Sequence, residues 1–256
     1  MTFPVYHADA RSILTATSGF IAQAGFTHSL SPARNCTFGC TYCYVPTMGI
    51  YGGLKPDDWE HWGCFTTFKS NAAELLQKSL RPNQIIYCSP LVDPYQPAEA
   101  EACLMPRLID ALIARPPRVF TTNREEVRRL YEPLCPPIAE RIAVVRRLRE
   151  AGIAVYATLA PILPCDPDAL VEMAVDATDR DIIADPFHVR AVKSSGATTR
   201  DAALRISERR RYHSWHEPAF QAAIIESMRS HALCAGRRLG TGPRAFGWLA
   251  ETDSCI

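Results

Sequence analysis

The stretch Cys36-Thr37-Phe38-Gly39-Cys40-Thr41-Tyr42-Cys43 places three cysteines within eight residues, in the order Cys-x3-Cys-x2-Cys. Three thiolates on one short loop can bind one face of an iron–sulfur cubane, and Gly39 allows the backbone to turn tightly beside it. Electron-transfer clusters are usually held by four cysteines, whereas three protein ligands leave one iron open to a small molecule. The spacing therefore predicts that Cys36, Cys40 and Cys43 bind a [4Fe–4S] cluster.

Two alternative interpretations of this loop remain. One is a zinc site completed by His28 or His61, but zinc sites usually show paired Cys-x2-Cys knuckles or a cysteine pair with a histidine pair. Neither pattern is present in the sequence. The other alternative is a set of buried, inert free cysteines.

Length and composition suit one mid-sized domain or a single α/β barrel, because 47% of the 256 residues are hydrophobic. The net charge of +1 gives no overall electrostatic signal for nucleic acid. No apolar run approaches the ~20 residues of a membrane-spanning helix, and residues 1–19 lack the apolar core of a secretion signal. We therefore expect a cytoplasmic protein without a membrane partner. In that compartment ten cysteines favour metal ligation or catalysis over disulfides.

Predicted strands alternate with helices, which indicates parallel βαβ units in a barrel or an open doubly wound sheet. The predicted strands are 26–30, 84–88, 118–120, 153–159 and 181–184. The predicted helices are 71–80, 99–114, 124–131, 138–150, 166–177, 199–211 and 218–235, with Asn71 and Asp166 as N-caps. The glycine-rich segment 236–256 is predicted to be a loop.

The cysteine loop, with the aromatic Tyr42 directly before the last cysteine, resembles the signature of the radical S-adenosylmethionine superfamily. The resemblance implies a [4Fe–4S] cluster whose open iron binds the amino and carboxylate groups of S-adenosylmethionine. It also implies reductive cleavage of that cofactor to methionine and a 5′-deoxyadenosyl radical, with Tyr42 beside the adenine. A loop anchor is an equally good reason for Tyr42, and one residue can do both.

Four segments, 31–44, 93–99, 131–133 and 159–164, are similar to the spore-photoproduct-lyase-like branch of that superfamily. The similarity implies an α/β fold, a partial and open parallel β/α barrel over residues 26–190. Residues 1–25 would be an N-terminal extension and residues 191–256 a C-terminal helical extension. Compared with the branch, the chain lacks one strand–helix unit after Phe120. In the family that unit contributes polar groups to the methionine carboxylate and ribose.

The loop after the predicted strand 84–88 carries further candidate residues, because loops at the carboxyl ends of strands build the active sites of α/β barrels. Ser89, Asp93, Gln96 and Glu99 are candidate cofactor-binding residues, and an acidic side chain suits the methionine ammonium group. An ordinary turn followed by the start of a helix explains Asp93, Gln96 and Glu99 equally well.

Cys88 lies at the end of the same predicted strand. In spore photoproduct lyases a cysteine near this region donates a hydrogen atom to a product radical, so the resemblance makes Cys88 a candidate catalytic residue. A lone cysteine on an apolar strand is more often a small core residue.

Partners follow from the same resemblance. An external electron donor of the flavodoxin or ferredoxin type would reduce the cluster, and the substrate would be DNA if the chain acts as a photoproduct lyase. Arg209, Arg210 and Arg211 precede aromatic residues, a mixture that suits phosphate contacts and base stacking, or simply an exposed helix end. The competing function is a non-catalytic iron–sulfur protein, for electron transfer or redox sensing, with impaired S-adenosylmethionine binding.

Overall fold

The computed structural model describes residues 4–47, 62–109, 118–187 and 201–251. Its strands are β1 (Val5–Ala8), β2 (Leu14–Ala16), β3 (His28–Leu30), β4 (Ala33–Arg34), β5 (Thr66–Lys69), β6 (Ile86–Cys88), β7 (Arg118–Val119), β8 (Ala157–Leu159), β9 (Ile182–Ala184) and β10 (Leu239–Thr241). Its helices are α1 (Gly19–Gln23), α2 (Ala72–Ser79), α3 (Glu99–Ala102), α4 (Leu104–Ile109), α5 (Glu125–Tyr131), α6 (Ile138–Glu150), α7 (Pro167–Ala177), α8 (Asp201–Arg210), α9 (Pro218–Cys234) and α10 (Gly242–Phe246). Short 3-10 helices cover Val45–Thr47, His213–His216 and Gly247–Leu249.

The largest sheet has the order β10-β9-β8-β7, and all its neighbouring strands are parallel. Strands β8 and β9 are buried along their whole length, as expected for a parallel sheet covered by helices. Its core includes Leu159 from β8, Val145 from α6, Leu170 from α7 and Met228 from α9. This packing confirms the α/β class and the parallel pairing predicted from the alternation of strands and helices.

A second sheet has the order β2-β3-β6. Strand β3 runs parallel to β6 and places Leu30 opposite Cys88, whereas β2 is antiparallel to β3. Since β3 and β6 are parallel and end in register, the loops that follow them leave from the same edge. The cysteine loop and the loop with the other candidate site residues therefore begin side by side.

A third sheet, β1-β5-β4, supports the cysteine loop from below. Ala33 of β4 pairs antiparallel with Phe68 of β5, and both side chains are buried. Because Cys36 follows β4 after a single residue, this pairing fixes the point at which the loop begins.

The C-terminal segment differs from its prediction. Residues 236–256 were expected to form a loop, but they contain β10, which pairs with β9, and α10. A Cβ atom on Gly240 would lie 2.5 Å from the Trp248 ring and 2.7 Å from Ala245 Cβ, so the glycine lets α10 and the following turn pack directly on the strand. The loop prediction was wrong because this strand depends on a tertiary contact rather than on a local apolar pattern.

The predicted absence of one strand–helix unit after Phe120 stays a prediction. Strands β6 and β7 belong to different sheets. Residues 110–117, which connect α4 to β7, lie outside the described ranges. Across the described ranges no helix is long and apolar enough to cross a membrane.

Candidate metal centre

The cysteine loop consists of two hydrogen-bonded turns. Gly39 N donates to the Cys36 carbonyl oxygen at 3.4 Å, and Cys43 N donates to the Cys40 carbonyl oxygen at 3.1 Å. Each turn thus starts at one cysteine and folds the chain back, which keeps the three cysteines on a compact loop. Cys36 is buried, and Cys40 and Cys43 are partly exposed.

A pair of glycines lets a second segment pack on this loop. A Cβ atom on Gly63 would lie only 2.6 Å from Gly39 Cα, and both residues have positive φ angles, 95° and 56°. No residue with a side chain fits this backbone-to-backbone contact without moving the loop. Gly39 therefore has the role near the cysteines that its sequence position predicts, and its partner Gly63 could not be predicted from sequence.

The loop after β6 is hydrogen-bonded to the cysteine loop. Gln96 Oε1 accepts from Thr37 N at 2.8 Å and from Thr37 Oγ1 at 3.2 Å, and the Gln96 side chain is buried. Ser89 Oγ donates to Ser31 Oγ at 3.2 Å. The structure thus brings Ser89 and Gln96 to the cysteine loop, where Gln96 holds the two loops together.

The two acidic candidates differ in exposure. Asp93 is exposed, and its carboxylate adds to burial in raising the pKa of the Cys36 thiol well above its usual range. Glu99 is buried at the start of α3, where its Oε1 accepts a hydrogen bond from Met105 N at 2.5 Å. Of these two carboxylates, Asp93 is the one open to a ligand beside the cysteines.

Tyr42 is anchored by a buried carboxylate that the sequence interpretation had not identified. Its hydroxyl donates to Glu132 Oε1, which also accepts from Thr121 Oγ1 at 2.9 Å. Glu132 Oε2 forms an ion pair with Arg141 at 2.9 Å, and the Glu132 side chain is 2% exposed. The anchor role considered for Tyr42 is therefore present. Residues 131–133 had supported the family resemblance, but nothing local to them indicated this contact.

A fourth cysteine, Cys135, lies beside the loop. A hydrogen bond with the Cys135 thiol, followed by burial, raises the pKa of Cys40. Cys135 is positioned by its backbone, since its N–H donates to the Glu132 carbonyl oxygen at 3.1 Å and its carbonyl oxygen accepts from Arg128 at 2.6 Å. Its position 92 residues after Cys43 gave no signal in the sequence.

The residues of this centre fit an iron–sulfur cluster. No three described His, Cys, Asp or Glu side chains are arranged around a single metal ion. A cubane does not require that arrangement, because each thiolate binds a different iron, and thiolates are the ligands that such clusters prefer. Two buried donors near the loop, Asn35 Nδ2 and Trp62 Nε1, have no hydrogen-bond partner among the described residues. A sulfur-rich group against the loop would satisfy them.

Cys88 ends β6 at the edge where both loops begin. Burial, with a contribution from Asp93, raises the pKa of its thiol to about 12. At neutral pH the side chain is therefore an S–H group and not a thiolate. It also packs against the core around Cys36, so the core role that the sequence left open applies as well.

The arginine cluster lies at the end of α8 and is exposed at Arg209, Arg210 and Arg211. Helix α8 is tied to α5, because Ser207 Oγ and the Tyr131 hydroxyl are 2.7 Å apart and hydrogen-bonded. The Tyr131 carbonyl oxygen in turn accepts from Thr41 N at 3.1 Å. One residue thus connects the helix of the arginine cluster to the cysteine loop.

Sequence comparisons detect distant relatives. No family profile matches the chain. An uncharacterized protein of Mycobacterium tuberculosis is 24% identical over 177 residues, which cover 56% of this chain and 52% of that protein. An uncharacterized protein of Methanocaldococcus jannaschii is 26% identical over 166 residues, covering 55% of this chain and 62% of that protein. The matched region thus spans about half the length of the mycobacterial relative.

Structure comparison extends over nearly the whole chain. Spore photoproduct lyase complexed with dinucleoside spore photoproduct has a TM-score of 0.60 at 13% identity, covering 93% of this chain and 81% of that one. A point variant of spore photoproduct lyase gives a TM-score of 0.59 with the same identity and coverage. This agrees with the resemblance seen in the cysteine loop, and the chain has the radical S-adenosylmethionine fold in its spore-photoproduct-lyase-like form.

Proposed function

We propose that this chain binds a [4Fe–4S] cluster through Cys36, Cys40 and Cys43 and cleaves S-adenosylmethionine for radical chemistry. The observation that carries the proposal is a three-cysteine loop at the expected place on a fold that radical S-adenosylmethionine lyases share. When bound, the cluster would supply one-electron cleavage of the cofactor to methionine and a 5′-deoxyadenosyl radical that abstracts hydrogen from the substrate. An external flavodoxin-type or ferredoxin-type donor would provide the electron.

The loop after β6 would hold the amino-acid end of the cofactor. Asp93 is exposed beside Cys36, and an anionic carboxylate suits the methionine ammonium group. The Ser89 hydroxyl lies at the carboxyl end of β6 and offers a further polar contact. Gln96 would act indirectly, by holding this loop against Thr37. Glu99, although predicted as a ligand, is turned toward Met105 and would shape the loop.

Tyr42 would present its ring to the adenine while its hydroxyl stays on Glu132. An aromatic ring held at one end is a rigid stacking surface, because it loses little conformational freedom when the ligand binds. This arrangement uses both roles that the sequence suggested for Tyr42.

Cys88 would donate a hydrogen atom to a carbon radical of the product. The transfer breaks the S–H bond of Cys88 and leaves a thiyl radical on its sulfur. Its raised pKa of about 12 supports this role, because the side chain keeps its hydrogen at neutral pH. Cys88→Ser should retain formation of 5′-deoxyadenosine and alter or abolish the final product.

DNA carrying a thymine photoproduct is the substrate that we propose. The support is the likeness to spore photoproduct lyase, together with exposed Arg209, Arg210 and Arg211 on a helix connected to the cysteine loop. Exposed guanidinium groups suit phosphate contacts that hold the DNA while the lesion reaches the site.

The proposal is tested by reconstituting variants with iron and sulfide under anaerobic conditions. Cys36→Ala, Cys40→Ala and Cys43→Ala should each lose the visible iron–sulfur absorbance and all S-adenosylmethionine cleavage. Cys64→Ala is the matched control, since this cysteine is exposed and outside the loop. Cys135→Ala should also retain the cluster. Loss of the cluster in Cys135→Ala, with cleavage absent from the wild type, would instead indicate four cysteine ligands and no open iron.

A further inference from the structure

Two buried N–H donors beside the cysteine loop have no acceptor among the residues that the structure describes. They are Asn35 Nδ2 and Trp62 Nε1, and their side chains belong to residues that are 2% and 6% exposed. A buried polar group without a partner is costly, and such groups in folded proteins commonly face an ion or ligand.

The orientation of the Asn35 amide is fixed by its neighbour. Asn35 Oδ1 accepts a hydrogen bond from Cys36 N at 2.8 Å, so the oxygen end of the amide is the end that faces the backbone. The Asn35 carbonyl oxygen accepts from Thr66 Oγ1 at 3.1 Å, and the residue has a φ of 64°, a conformation that asparagine tolerates well. The Nδ2 group is therefore held as a donor one residue before the first cysteine.

Trp62 approaches the loop from the opposite segment. It precedes Gly63, which packs backbone to backbone on Gly39, and the Trp62 carbonyl oxygen lies 3.8 Å from the position of a Cβ atom on Gly39. Its indole belongs to the buried cluster that contains Cys36 and Phe38. The donor-only Nε1–H is thus enclosed with the cysteine loop and lacks an oxygen acceptor.

We infer that Asn35 Nδ2 and Trp62 Nε1 donate hydrogen bonds to sulfur atoms of the bound cluster and thereby raise its reduction potential. The inference rests on the proposed function, because it requires the cluster. Reduction adds negative charge to the sulfurs, so N–H donors stabilise the reduced form more than the oxidised form. These two side chains are positioning and tuning residues and would not touch the reacting atoms.

The test is the reduction potential of the reconstituted cluster without S-adenosylmethionine, measured by a redox titration monitored by electron paramagnetic resonance. Trp62→Phe keeps an aromatic ring and removes only the N–H donor, and Asn35→Gly keeps the positive φ while removing the amide. Both variants should have a more negative potential than the wild type. Trp215→Phe is the matched control, since Trp215 packs against the core of the parallel sheet, and its potential should be unchanged.

The outcomes separate the two proposals. Unchanged potentials in variants with full iron and sulfide content would overturn the inference and leave the proposed function intact. A wild-type protein that assembles no cluster would contradict the proposed function itself. If a variant fails to assemble its cluster, the wild type labelled with ¹⁵N in tryptophan indole or asparagine amide answers the question. Hyperfine coupling of the reduced cluster to these nitrogens is expected, and its absence would overturn the inference.

Discussion

Glu132 is the residue that joins the cysteine loop to the parallel sheet. It accepts hydrogen bonds from Tyr42 of the loop and Thr121 after β7, and it pairs with Arg141 of α6. Its backbone also accepts from Arg128 at 2.9 Å. Because these partners come from separate parts of the chain, one carboxylate fixes several elements around the loop.

Replacing Glu132 with alanine should therefore be strongly destabilising. The change leaves Arg141 without its buried partner, and breaking such a pair typically costs about 3–5 kcal/mol in the free energy of unfolding. Denaturant unfolding of the apoprotein measures it. Glu74→Ala, which removes an exposed ion pair with Lys78, is the control and should have little effect. Equal midpoints for the two variants would show that the Glu132 network does not stabilise the fold.

Cys165 gives the protein a dependence of stability on alkaline pH. Burial raises the pKa of its thiol to about 12, against about 8.5 in an unfolded chain. Between these values the unfolded chain loses a proton that the folded chain keeps, so stability should fall as pH rises above about 8.5. Unfolding midpoints measured across this range should fall less steeply for Cys165→Ala than for the wild type. Cys64→Ala, at an exposed position, should follow the wild type, and parallel curves for all three proteins would refute the assignment.

At the scale of single residues, local patterns were predicted well and distant contacts were not. The spacing of the cysteines and the Asp166 cap are local, and Asp166 does accept from Ala169 N at 3.1 Å. Asn71 has the same kind of local signal, yet its side chain bonds to Ala10 N and O instead of capping α2. Cys135 and Trp62 reach the centre only through the fold, so no sequence spacing could reveal them.

At the scale of elements, the contact between Gly39 and Gly63 holds the cysteine loop against the segment before β5. An alanine at position 63 would place its Cβ 2.6 Å from Gly39 Cα, and backbone at that distance must move. Gly63→Ala should therefore displace the loop and reduce the iron and sulfide bound per chain.

The control for this prediction is Gly152→Ala. Gly152 has a similar positive φ of 77°, but a Cβ there meets nothing within 4 Å. Both variants carry the conformational strain of a positive φ, and only Gly63→Ala adds the collision. Equal cluster content in the two variants, measured by iron and sulfide analysis, would mean that the glycine contact does not shape the centre.

The predicted elements were largely confirmed where their signal was an apolar run or a capped helix. Helix α6, Ile138–Glu150, has the predicted bounds, and β3, β6, β8 and β9 lie inside the predicted strands. Strand β10 was missed because Leu239–Thr241 is short and contains a glycine that only its packing partners explain. Element bounds were least predictable where burial comes from contacts distant in sequence.

At the scale of the whole molecule, the fold places the arginine cluster and the cysteine loop on one connected framework through Tyr131. The overall net charge of +1 gave no hint of a nucleic-acid surface, because it averages over the chain. Only the position of α8 relates these arginines to the centre, and that position depends on tertiary packing.

Neutralising the cluster tests whether this surface binds DNA. Arg209→Gln, Arg210→Gln and Arg211→Gln combined should weaken DNA binding at low salt and flatten the dependence of log affinity on log salt by up to about 0.9 per lost phosphate contact on duplex DNA. Arg146→Gln, at an exposed position on α6, is the control. An identical salt slope in the triple variant and the wild type would remove DNA contact from this surface.

The central claim is that the three-cysteine loop on this fold supports cleavage of S-adenosylmethionine. The most direct measurement is 5′-deoxyadenosine formed by anaerobically reconstituted, chemically reduced protein, quantified by chromatography against the cluster content. We predict that 5′-deoxyadenosine appears only with reductant and S-adenosylmethionine present, and that Cys40→Ala forms none. A wild-type protein with a full cluster that forms no 5′-deoxyadenosine would contradict the account.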